Sequence, residues 1–162
     1  MSASRKTLIF GGLVLATIGM LYGLHYAVFV EHQTLDDMGM SLASGFVHVS
    51  QRKLPEAHAA IDAFGRTKYN YVRQVDIHSH WGGLAMIMIV LGVVFDRVQM
   101  SERYRLWIAC SMLVGSVTFP LGVILQTVHH GGLIPSAMAI AGSVLVTLSL
   151  AAVAVGFART AT

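Results

Sequence analysis

The sequence predicts an all-α integral membrane protein, a four-transmembrane-helix bundle with an amphipathic helical segment between helices one and two. Three observations carry that prediction. Four apolar runs are each long enough to cross a bilayer, which takes about 20 residues. Charged residues make up 12% of the 162, where a soluble domain has about 25%. The polar stretch between the first two runs repeats its apolar residues at helical rather than strand spacing. The whole chain, 1–162, is read as one membrane domain.

Helix one is expected from about Thr7 to Glu31. Arg5 and Lys6 precede it as in a signal peptide, but the apolar run is too long for a signal core and no small-residue cleavage site follows. It reads as a retained span. Its outer third holds Tyr22, His25 and Tyr26, and His32 lies just beyond. The segment from about 33 to 75 does not span. Leu35, Met38, Leu42, Phe46 and Val49 form a stripe at spacings of three and four, with Asp36, Asp37, Ser44 and Ser50 off it. Such a helix lies on a membrane surface or caps the bundle. Arg52-Lys53-Leu54-Pro55 reads as a break, with Pro55 in the first turn of a new helix. The periodicity of Ala60, Ile61, Phe64 and Tyr71 allows that helix to continue into helix two, expected over about 77–96.

Helix three is expected over about 106–128, with Pro120 predicting a kink. His129-His130-Gly131-Gly132 reads as a tight turn before helix four, about 133–158. That last helix is rich in Ala, Gly, Ser and Thr, which suits close packing within the bundle or against a homo-oligomer or membrane-complex partner. Cys110, the single cysteine, reads as a small core residue. A net charge of +3, without interleaved basic and aromatic residues, argues against nucleic acid. The lipid bilayer is the partner the composition demands.

Arg5 and Lys6, the link holding Arg97, Arg103 and Arg105, and Arg159 all fall on one side of a four-span chain. The positive-inside rule makes that side cytoplasmic, with both termini there, and suits a bacterial inner membrane. All eight histidines then fall towards the opposite face, an outcome that chance gives less than about one time in a hundred, so a shared site is expected.

His78-Ser79-His80-Trp81-Gly82-Gly83 opens helix two. Residues two apart on a helix point about 200° apart, so His78 and His80 face different neighbours. The His78 face continues through Gly82, Ala85, Ile89 and Gly92 and reads as a packing face. The His80 face continues through Gly83, Leu84, Ile87 and Leu91 and reads as lipid contact. Either histidine qualifies as a ligand. On helix three, His129 continues through Gln126, Gly122, Thr118 and Gly115, a small and polar stripe that should face inward, and His130 lies about 100° away. His25 is the deepest histidine and needs a partner there. His32 lies one heptad further out on its face, whereas His48 and His58 read as solvated.

Imidazoles from separate membrane helices with glycine beside them suit b-type haem, one or two groups. The cofactor-binding candidates are His25, His78, His80, His129 and His130, and His32 joins them as a metal ligand. No Cys-x-x-Cys-His occurs, which excludes covalent attachment. A copper, zinc or other transition-metal site is the rival, because imidazole suits these metals and Glu31, Asp36 and Asp37 offer oxygen ligands. No His-Glu-x-x-His points to a zinc protease.

His78-Ser79-His80-Trp81 followed by a glycine-bearing membrane helix resembles the His-x-His segment opening a helix in small four-helix relatives of haem–copper oxidase subunit I. The resemblance covers about 20 residues. It implies His78 or His80 as a haem ligand, and His129-His130 is similar to the paired histidines of that family. No helix carries its copper-binding pattern of two histidines three or four residues apart, so what is implied is an oxidoreductase role in electron transfer rather than oxygen reduction. The expected partners are a quinone and a periplasmic electron carrier.

Overall fold

The computed structural model describes residues 1–129 and 132–159. Among these residues all regular structure is helical. The elements are α1 (Ala3–Phe29), α2 (Glu31–Ser50), α3 (Leu54–Val94), a 3-10 turn over Phe95–Arg97, α4 (Glu102–Val128) and α5 (Leu133–Ala158). Helices α1, α3, α4 and α5 are long and apolar enough to cross a membrane. The chain is therefore an all-α integral membrane protein, as its composition requires. It divides into two compact units, Met1–Met20 with Ile77–Thr162, and Leu21–Asp76.

In the first unit, α1 and α3 meet along matched stripes. Ser4, Leu8, Gly12, Leu15 and Gly19 are buried on α1, and Ile77, Trp81, Ala85, Met88 and Gly92 on α3. Both stripes step by three or four residues, the period that keeps side chains on one helix face. Glycine allows the backbones to approach: a Cβ on Gly12 would stand 2.9 Å from the carbonyl oxygen of Ala85. Between membrane helices no hydrophobic force acts, so small residues that permit close packing hold the pair together.

The same device joins α4 to α5. A Cβ on Gly122 would stand 2.5 Å from the Ala139 nitrogen, and one on Gly142 would press on the Phe119 backbone. Gly142, Val146, Ser149, Val153 and Gly156 are the buried stripe of α5. The small-residue face of this last helix is thus occupied within the chain. Helix α4 runs unbroken through buried Pro120, which leaves the carbonyl of Ser116 without its usual amide donor. Cys110 is exposed rather than in the core. It follows buried Ala109 by one residue, and about 100° of rotation takes it off the packing face.

One end of this unit is closed by polar groups. The Ser4 amide donates to Glu102 Oε1 at 2.9 Å and its hydroxyl to Oε2 at 3.1 Å. A carboxylate from α4 therefore caps the first turn of α1, where amides lack intrahelical acceptors. Such a cap contributes about 1 kcal/mol. Arg105 reaches Glu102 at 3.0 Å and Asp96 at 3.7 Å, while Arg5 reaches Asp96 at 3.4 Å. Two of the arginines that mark this end are thus held by acids. Their contact with solvent limits each pair to about 1 kcal/mol or less.

The second unit contains the end of α1, all of α2 and the first part of α3. Pro55 sits in the first turn of α3, as expected. Gly45 is buried on α2, 3.8 Å (from a built Cβ) to both Ala60 and Ile61 of α3. The apolar stripe expected on α2 is largely uncovered: Leu35, Leu42, Phe46 and Val49 are all exposed. Helix packing here uses the small residue, not the large ones. Helix α2 ends in a Schellman turn, in which Arg52 N–H donates to Val49 O and Lys53 N–H to His48 O, each at 2.9 Å.

Arg52 occupies the left-handed position of that turn, with φ 59°, where a side chain is strained and glycine is not. Arg52→Gly is expected to stabilise the α2–α3 turn by up to about 1 kcal/mol. Hydrogen exchange over residues 47–53 would slow by up to about fivefold. Unchanged or faster exchange would show that Arg52 carries no such strain.

Candidate functional site

The site is built where α1 passes closest to the start of the apolar part of α3. Gly19 is buried against Trp81, and a Cβ on Gly19 would stand 3.0 Å from the Trp81 Cβ. With no side chain on α1 at this point, the Gly19 carbonyl oxygen is open to a second donor. His78 supplies it, with Nδ1 3.0 Å from Gly19 O.

That contact defines the state of the ring. A carbonyl oxygen only accepts, so Nδ1 must carry the hydrogen. In the neutral imidazole Nε2 is then an unprotonated lone-pair donor facing away from α1. Histidines that bind metals are commonly held this way, the far ring nitrogen donating to a backbone carbonyl. One turn along α3 from His78 lies Gly82, with Gly83 beside it, and a Cβ built on either meets no atom within 4 Å. The ring therefore stands next to open, side-chain-free helix surface.

His80 has a different neighbour. Its ring lies 4.6 Å from that of Phe119 on α4, tilted by 52°. The two histidines of the His-x-His segment thus engage α1 and α4 separately, as helical geometry requires. Of the two faces read from sequence, the His78 side has Ala85 and Gly92 buried but His78 and Gly82 exposed. The His80 side has Gly83 and Ile87 exposed but His80, Leu84 and Leu91 half-buried, so neither face is wholly packing or wholly lipid contact. Trp81 and Met88 are buried as well, because glycines on α1 receive large side chains from α3.

His129 is the C-terminal cap of α4. Its N–H donates to Leu125 O at 2.9 Å and its carbonyl accepts from Gly132 N–H at 3.0 Å. The side chain is exposed, whereas Gly115 and Gly122 on the same stripe are buried against α5. Phe119, which touches His80, precedes His129 by ten residues, or about 15 Å of helix rise. His80 and His129 therefore stand at different depths of the bundle. His130 lies outside the described residues.

The remaining candidates belong to the second unit. His25 is exposed, with its ring 5.5 Å from Phe29, one turn on. His32 is exposed and has Nε2 3.5 Å from Asp36 Oδ2. His48 is half-buried and His58 exposed. Among the described residues, no three His, Cys, Asp or Glu side chains converge to hold a metal ion.

The sequence offers His78 and His80 alike as ligands and does not point to Gly19, the hydrogen-bond partner of His78. The available signal was the seven-residue spacing of Gly12 and Gly19 on one face of α1. No family model matches the chain, and no curated protein or solved structure does. The fold and the residues themselves define its class, a four-span helical membrane protein.

The hydrogen bond to Gly19 makes a direct prediction. Nitrogen-15 NMR of labelled histidine, assigned by loss of one signal in His78→Gln, is expected to show His78 protonated at Nδ1 at neutral to alkaline pH. An Nε2–H tautomer would contradict the arrangement.

Proposed function

We propose that this protein is a membrane b-type haem protein that carries electrons, with His78 as a residue that would hold the haem. The observation that supports this reading best is the Nδ1–H bond to the Gly19 carbonyl. It orients the imidazole and leaves Nε2 free to bind iron. Haem brings four equatorial nitrogens of its own and needs one or two from the protein. That demand suits a chain in which no three metal-ligating side chains converge among the described residues. A copper site held by three or four protein donors suits it less well. The bare helix surface at Gly82 and Gly83 offers a flat macrocycle room beside the ring.

When bound, the haem supplies one-electron oxidation and reduction. The chain's own part is to orient His78, and to keep the surroundings apolar with Trp81, Ala85 and the facing glycines of α1. Within the same unit, His80 and His130 are the candidates to hold the haem together with His78 or to hold a second haem. The different depths of His80 and His129 favour separate roles for them. The resemblance of the His-x-His segment to small relatives of haem–copper oxidase subunit I points the same way. The distribution of arginines supports an orientation with this end of the bundle at the outer face of a bacterial inner membrane, where the electron acceptor or donor in this reading is a periplasmic carrier.

Absorption spectra of the purified protein, oxidised and dithionite-reduced, test the reading, with a pyridine haemochrome assay on the same sample. The expected result is a Soret band with sharp reduced α and β bands. A flat visible spectrum after expression with added haem precursor would sink it.

A further inference from the structure

A second feature lies at the same end of the first unit, where α4 gives way to α5. Leu125, His129, Gly132, Leu133, Ile134 and Pro135 line a recess of about 670 Å³. That volume is within the range of small-molecule sites, about 300–1,000 Å³. Among the described residues that line it, four of six are large and aliphatic or proline, and His129 supplies the polar side chain. Leu133 and Ile134 at its rim are 85% and 72% exposed. In a bilayer such residues meet lipid, so a ligand reaches the recess from the membrane rather than from water.

The lining selects the chemistry of the occupant. Among the described residues no Lys or Arg lines the recess, so a phosphate headgroup finds no lysine or arginine counter-charge there. A saturated acyl chain makes no use of an imidazole. An imidazole both donates and accepts hydrogen bonds. It therefore suits a ring oxygen that alternates between carbonyl and hydroxyl. The aliphatic wall suits a prenyl tail.

We infer that this recess binds the headgroup of a prenylated quinone, with the His129 imidazole hydrogen-bonded to one ring oxygen. The inference rests on the electron-transfer reading for the choice of a redox-active ligand. His78 is not part of the recess, so the two can be tested apart.

The experiment uses the full-length protein in nanodiscs of quinone-free phosphatidylcholine, prepared with and without haem. Decylubiquinone is titrated by calorimetry, and a photoreactive azidoquinone is cross-linked and mapped by mass spectrometry. The expected result is one saturable site, labelled within residues 125–135, with or without haem. His129→Phe, which keeps the bulk and removes the hydrogen bond, is expected to weaken binding about tenfold. Leu133→Trp, which fills the recess and keeps the imidazole, is expected to weaken it comparably and decides the matter if His129→Phe does not fold. His78→Ala is expected to bind quinone as the natural chain does. Binding by haem-free protein that never acquires haem supports this site and overturns only the proposed function. Absence of saturable binding, label spread over other lipid-facing surfaces, or full-strength binding by the folded variants would overturn the quinone site.

Discussion

The close approach of α1 to α3 is the constraint on which the rest of the first unit depends. Lipid is as apolar as leucine, so these helices associate only through packing that lipid cannot match. Gly12 and Gly19 provide that packing by removing side chains where the backbone of α3 arrives. The functional consequence appears at Gly19. Its carbonyl comes within hydrogen-bonding distance of His78 because Trp81 is buried against the bare backbone of α1. A helix interface and an oriented imidazole are thus products of one glycine. A larger residue at this position would displace Trp81 and with it the ring one turn earlier.

The two ends of the bundle are chemically different. At one end Ser4, Arg5, Asp96, Glu102 and Arg105 form a network of hydrogen bonds and ion pairs. It satisfies the start of α1 and ties it to the α3–α4 connection. At the other end the polar groups are imidazoles, held singly and by different neighbours. A polar clasp of acids and bases stabilises, whereas separately positioned neutral imidazoles offer lone pairs. The difference is consistent with the proposed haem site lying at the second end.

Much of the fold was legible in the chain because a bilayer imposes length and apolarity on every span. Helix four matched residue for residue at Leu133–Ala158, and Pro55 marked the start of α3. The large apolar residues of α2 define a stripe suited to a membrane surface or a bundle cap, and they are exposed, but the contact with α3 is made at Gly45, which the periodicity does not single out. Cys110 misled for a related reason: in a lipid-facing helix an apolar run says nothing about which side is core. His78 was one of two equal choices by sequence. The structure separates them through a backbone carbonyl 59 residues away, and a carbonyl leaves no trace in side-chain pattern. The left-handed turn at Arg52 was equally hidden, because glycine usually marks that conformation.

The central claim is that His78 offers Nε2 to a haem iron, and it is tested most directly by replacing the ligand chemically. His78→Gly should fold with the α1–α3 interface intact, because Gly19 and Trp81 are unchanged, and should lose the Soret band. Millimolar imidazole should then restore both the band and the reduced α peak by occupying the vacated position. Full haem retention by His78→Gly, with an unaltered spectrum in the absence of imidazole, would contradict the account.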